Sequence, residues 1–133
     1  MRNAENKTIG IISAQIGQES VENERAHVYL GKRLHDLGLS HSEILGYYKG
    51  QPEKTFLCIL ESEEHITKLE NLAFDFGQES VLISEPSRKS YLYFTKTGKR
   101  ENIGTLEEVS SVEGLESFSI VTIGGKETIW TCR

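Results

Sequence analysis

Three short stretches hold residue types that could do chemistry. Tyr47-Tyr48 and Glu53 flank a tight turn, which brings a phenol and a carboxylate close together. Such a pair can grip a cation or orient a carboxylate, or it can be a packed aromatic pair beside a solvated turn glutamate. Ser13-Ala14-Gln15 closes an apolar run, where small side chains let a ligand approach the backbone, although a plain exit from strand to loop reads the same way. Gln78 follows Gly77 at the end of a helical pattern and could face a ligand or merely cap carbonyls. No nucleotide-binding loop, zinc spacing or nucleophile elbow is present. The four histidines, His27, His35, His41 and His65, are scattered without a shared motif, so surface or capping roles suit them better than metal ligation.

The elements that must position these residues follow from periodicity. Thr8 to Ala14 is a β-branched apolar run and predicts a strand. From Ser20 or Asn23 as cap, Ala26, Leu30, Leu34 and Leu37 recur at helical spacing until Gly38. Glu43 to Lys49 and Lys54 to Leu60 predict a hairpin around Gly50-Gln51-Pro52-Glu53. Ser62 can cap a second helix through Ile66, Leu69, Ala73 and Phe76, with Gly77 after it, and Ser80 to Ser84 returns to strand. The order βαββαβ predicts an α+β, ferredoxin-like sandwich, with both helices on one face of an antiparallel sheet. A C-terminal β extension follows: Ser90 to Lys96, a turn at Thr97-Gly98, Leu106 to Val112, and a hairpin of Phe118 to Ile123 and Thr128 to Cys132 around Gly124-Gly125. Residues 1–133 therefore read as a single domain, with a core over about 8–84 and the extension over about 90–132. Ile9, Ile11, Phe56, Cys58 and Leu60 alternate along their strands, and the expectation is that they are buried between protomers on the sheet face that the helices leave free.

Composition narrows the function. A chain of 133 residues can bury a core without staples, and Cys58 and Cys132 are too few for a disulfide scaffold, so a reducing cytoplasm is the simplest compartment. Met1 to Lys7 is polar, and no window approaches the roughly 20 apolar residues that span a bilayer, which predicts neither export nor a membrane. The net charge of −5 argues against nucleic acid as a partner. The basic clusters at Arg88-Lys89 and Lys96 to Arg100 read as solvated hairpin tips.

Taken in order, Ser13-Ala14, Asn23 to His27, Gly46-Tyr47-Tyr48 with Glu53-Lys54-Thr55, Gln78 to Leu82 and Glu108-Val109 resemble the phage-encoded S-adenosylmethionine lyases, formerly called S-adenosylmethionine hydrolases. The resemblance runs from about Thr8 to Trp130. It implies cleavage of S-adenosylmethionine to methylthioadenosine and L-homoserine lactone by attack of the substrate's own carboxylate, an anti-restriction function in the host cytoplasm. It also implies a ferredoxin-like homotrimer with sites at subunit interfaces. No cofactor or metal is expected. Glu53 and Tyr48 would be the catalytic pair, Glu53 holding the substrate ammonium and Tyr48 orienting the carboxylate or facing the cation, with Tyr47 as the alternative tyrosine. Ser13, Ala14, Gln15, Tyr47 and Gln78 would bind the substrate. The rival expectation is a non-enzymatic trimeric binder that sequesters an adenine nucleotide or a signalling ligand.

Overall fold

The structure, a computed structural model, describes residues 4–17 and 20–133. Of the polar start, Met1 to Asn3 lie outside the described residues, as do positions 18 and 19 of the loop after the first strand. Eight strands and two helices follow in the order β1 (Thr8–Ser13), α1 (Val21–Asp36), β2 (His41–Tyr48), β3 (Gln51–Leu60), α2 (Glu63–Asp75), β4 (Ser80–Ser84), β5 (Lys89–Phe94), β6 (Arg100–Val109), β7 (Ser117–Ile123) and β8 (Lys126–Cys132). Both helices start on a serine cap. The Ser20 side chain accepts from the Asn23 amide and that of Ser62 from the His65 amide, which satisfies donors that the first helical turn leaves free. Asn23 acts on the loop instead of capping the helix. Its side-chain amide accepts from the Ile16 N–H at 3.0 Å and donates to the Ile16 carbonyl at 2.9 Å, fixing the chain just ahead of α1.

The ferredoxin-like sandwich is corrected by the strand pairing. The strands form one closed antiparallel barrel in the order β1-β3-β2-β7-β8-β6-β5-β4, with α1 and α2 packed outside it against β1, β3 and β4. The segment expected as an extension supplies four of the barrel's eight strands: β7 pairs with β2, β5 with β4, and β6 joins β5 to β8. A twisted sheet that ended at β2 and β4 would leave both edges as rows of unpaired amides, and closure removes them.

Closure also divides the apolar residues differently from expectation. Register pairs Ile9 with Ile59 and Ile11 with Leu57, whereas Phe56 stands opposite Ile12 and Cys58 opposite Gly10. Because alternate residues face opposite sides, Ile9 and Ile11 point into the barrel while Phe56, Cys58 and Leu60 point out beneath the helices. The five residues thus belong to two cores. The outer core packs Leu30 and Leu34 of α1 and Leu69 and Leu72 of α2 against Ile12, Phe56 and Cys58. Gly10 lets α2 come that close, since a Cβ there would collide with Leu69. The inner core holds Ile9, Ile44, Leu57, Leu106 and Val121 at one end of the barrel, with Ala4 beneath them. The five residues are therefore buried or half-buried within a single chain, and covering them does not require a second copy.

The hairpin turn is tighter than expected. Lys49 and Gly50, with φ of 49° and 81°, form the whole connection between β2 and β3, the pattern of a two-residue turn whose twist matches its strands. Pro52 and Glu53 consequently lie within β3. The proline is tolerated there because β1 stops pairing at Ser13↔Thr55, so no strand needs its missing N–H on that side.

Candidate active site

At the end of the barrel opposite Ala4 the interior is hollow, forming an open cavity of about 670 Å³. β1 brings Ser13 to it, β2 brings Gly46 and Tyr48, β3 brings Glu53 and Thr55, and β7 brings Ser117 and Ser119. Across the barrel, Leu82 of β4, Leu92 of β5 and Ile103 of β6 make an apolar wall. Three glutamates, Glu53, Glu79 and Glu116, line the cavity, and among the described residues no lysine, arginine or histidine does. Its polar side therefore suits a cation and its far side an apolar or aromatic group.

Register places the two central residues. Glu53 stands opposite Gly46, two positions along β2 from Tyr48, so Tyr48 and Glu53 share the inward face on a diagonal that long side chains can span. Tyr48 is 56% exposed as a whole, its ring reaching the open mouth, but its hydroxyl is held above its ordinary ionisation range, first by partial loss of water and then by the charge of Glu53, with smaller pushes from Cys132 and Glu79. It keeps its proton at neutral pH and can donate a hydrogen bond. Among the described residues no hydrogen bond or ion pair engages the Glu53 side chain, and its carboxylate is open to a ligand.

Gln78 and Gln15 close one side of the mouth. The Gln78 side-chain amide donates to the Gln15 carbonyl at 3.1 Å and to the Phe76 carbonyl at 3.5 Å, while the Gln78 carbonyl accepts from Thr95 Oγ1 at 2.7 Å. Ser13 Oγ accepts from the Gln15 N–H at 2.9 Å. Gln78 thus caps carbonyls and lines the cavity at once, so the two readings of it are compatible.

Six of the seven residues singled out from sequence, Ser13, Gln15, Tyr47, Tyr48, Glu53 and Gln78, line this cavity. Ala14 does not: it points the other way, 2% exposed, into the core beneath the helices. Tyr47 lies at the wall, but its ring stacks on Phe118 at 4.8 Å and 17°, on the face away from Tyr48 and Glu53. Sequence reasoning missed Thr55, Glu79, Ser80, Ser119, Trp130 and Cys132, all of which line the cavity. Thr55 could have been found by stepping two residues inward from Glu53. Ser119 and Trp130 could not, because only the long-range pairing of β2 with β7 and β7 with β8 brings them there.

A search among curated proteins finds no match to this chain. The family model described as the S-Adenosylmethionine lyase family matches residues 10–133, a span that includes every residue lining the cavity. The chain belongs to the S-adenosylmethionine lyase family, and it is an S-adenosylmethionine lyase.

Proposed function

We propose that the enzyme converts S-adenosylmethionine to methylthioadenosine and L-homoserine lactone in the barrel cavity. The substrate carboxylate attacks its own γ-carbon, the carbon–sulfur bond breaks, and methylthioadenosine leaves with the bonding electron pair. The observation that carries this reading is the charge of the cavity, which three glutamates line without a basic residue among those described. S-adenosylmethionine bears a sulfonium and an ammonium against one carboxylate, so its net charge complements that lining. Glu53 holds the ammonium, which keeps it from pairing with the attacking carboxylate. Tyr48, protonated, orients the carboxylate by hydrogen bond. Ser13, Gln15 and Gln78 shape the mouth, and the apolar wall of Leu82 and Leu92 receives the nucleoside.

So sparse a site suffices because nucleophile and leaving group belong to one molecule. Folding it into a near-attack geometry is worth roughly 7 to 11 kcal/mol. Attack also neutralises the carboxylate against the sulfonium, so a partly dry cavity favours the less polar transition state. With the nucleophile supplied by the substrate, activity is expected to survive a chelator, and loss of turnover that a divalent ion restores would count against the mechanism. The anti-restriction role in a phage-infected host cytoplasm and the homotrimeric assembly rest on the family resemblance alone.

The test is product analysis in heavy-oxygen water. Intramolecular attack gives unlabelled lactone, and any homoserine formed from it carries the label in the carboxyl group. Direct attack by water would label the γ-hydroxyl, and intact S-adenosylmethionine after incubation would mean a binder that does not cleave.

A further inference from the structure

Gly46 stands at the centre of the polar wall, opposite Glu53 on β3 and Ser119 on β7, with Tyr48 next on the same face. The backbone does not demand glycine there, because Gly46 is not among the residues with positive φ. Packing does not demand it either. A Cβ at Gly46 would come no closer than 3.5 Å to the Glu53 carbonyl and the Thr55 methyl, which is ordinary contact. This differs from Gly10, where a side chain would strike Leu69. A glycine inside a strand gives up packing and conformational restraint, and where neither strain nor a neighbour calls for it, it marks the close approach of something else. At Gly46 the open direction is the cavity itself.

We propose that Gly46 is a specificity-determining residue: its missing side chain is the seat of the substrate's amino-acid end, and it sets how deeply that end settles beside Glu53 and Tyr48. The inference rests on the reading that Glu53 holds the substrate ammonium. A methyl group at this position occupies space that the amino-acid end needs and leaves the nucleoside's place on the opposite wall untouched.

Two ligands separate these parts. S-adenosylhomocysteine keeps the amino-acid end but, as a thioether, lacks the activated leaving group, whereas methylthioadenosine has no amino-acid end. Trp130 is the only tryptophan in the chain and lines the same cavity, so quenching of its fluorescence reports occupancy without turnover. Gly46→Ala is expected to weaken S-adenosylhomocysteine by about tenfold or more, the range that one methylene commands in a fitted pocket, and to leave methylthioadenosine within about twofold. Its thermal midpoint should not fall, and KM for S-adenosylmethionine should rise more than kcat drops. Equal loss of both ligands, loss of neither, or a lowered midpoint would each overturn the proposal. Glu53→Gln, titrated in parallel, tells the two readings apart. If it weakens S-adenosylhomocysteine while Gly46→Ala does not, the seat lies elsewhere and the ammonium reading stands; if neither variant weakens it, both readings fail.

Discussion

The two ends of the barrel interior are built by the same strands and have opposite characters. Inward positions along β1 run Ile9, Ile11, Ser13; those along β2 run Ile44, Gly46, Tyr48; those along β3 run Leu57, Thr55, Glu53. At the first end the side chains are large and apolar and meet in the inner core. That end is closed by Arg88, whose guanidinium donates to the carbonyls of Ala4 at 2.6 Å and Lys7 at 2.8 Å, tying the N-terminal segment across it. Farther along each strand the side chains are small or polar and the space is left open. Packing and open polar space are thus graded along single strands, and the packed end supplies the rigidity behind the hollow end, where among the described residues no hydrogen bond or ion pair engages the Glu53 and Tyr48 side chains.

This contrast breaks most visibly at Leu57. Leu57→Ala removes a buried side chain from the packed end and should cost about 2 to 5 kcal/mol of stability. Denaturant unfolding measures that loss, while turnover per folded molecule should stay near the parent's. Loss of turnover with stability intact would mean that the two ends are not separate.

At the hollow end the expected pattern reverses. Tyr48→Phe keeps the ring and removes the hydroxyl, and if that hydroxyl orients the carboxylate, kcat/KM should fall about tenfold, or ~1.4 kcal/mol, with little change in stability. A Tyr48 that only faces the cation would lose little. Since partial loss of water and neighbouring negative charge raise its pKa, Tyr48 should contribute no alkaline limb to the rate below about pH 10.

The smallest effect belongs outside the barrel. His27 stacks parallel on Phe56 at 4.3 Å, with Nε2 3.2 Å from Glu43 Oε1 and a buried Nδ1 that has no hydrogen-bond partner among the described residues. Burial lowers its pKa below 6.5, outweighing the pull of Glu43. A depressed pKa favours the neutral ring in the folded state, so the contribution is full above about pH 6.5 and is lost as pH falls through the lower folded value. Melting temperature should therefore drop more between neutral and mildly acidic pH in the parent than in His27→Gln. The drop should appear in stability and not in kcat, because His27 is not among the residues that line the cavity.

What could be read from the sequence was local. Ser20 and Ser62 sit directly before their helices, and Tyr48 and Glu53 lie on a diagonal across a hairpin closed by a two-residue turn, so short-range rules were enough to bring phenol and carboxylate together. Closure was not local. Leu45 pairs with Ile120 and Leu106 with Cys132, contacts that no turn or periodicity encodes, and without them an open sandwich looked complete. The same gap hid Ser119 and Trp130 and misassigned Ile9 and Phe56 to one face, because alternation fixes the faces of a strand but not which face of its neighbour they share.

The most direct test of the account is the turnover of S-adenosylmethionine by Glu53→Gln, checked for folding and compared with Glu127→Gln, a carboxylate exposed in the β7–β8 hairpin and absent from the cavity lining. Glu53→Gln keeps the shape and loses the charge proposed to hold the ammonium. The expected cost is on the order of 2 to 5 kcal/mol, roughly 30-fold or more in kcat/KM, with Glu127→Gln unchanged. A folded Glu53→Gln enzyme that cleaves S-adenosylmethionine as fast as the parent would contradict the account.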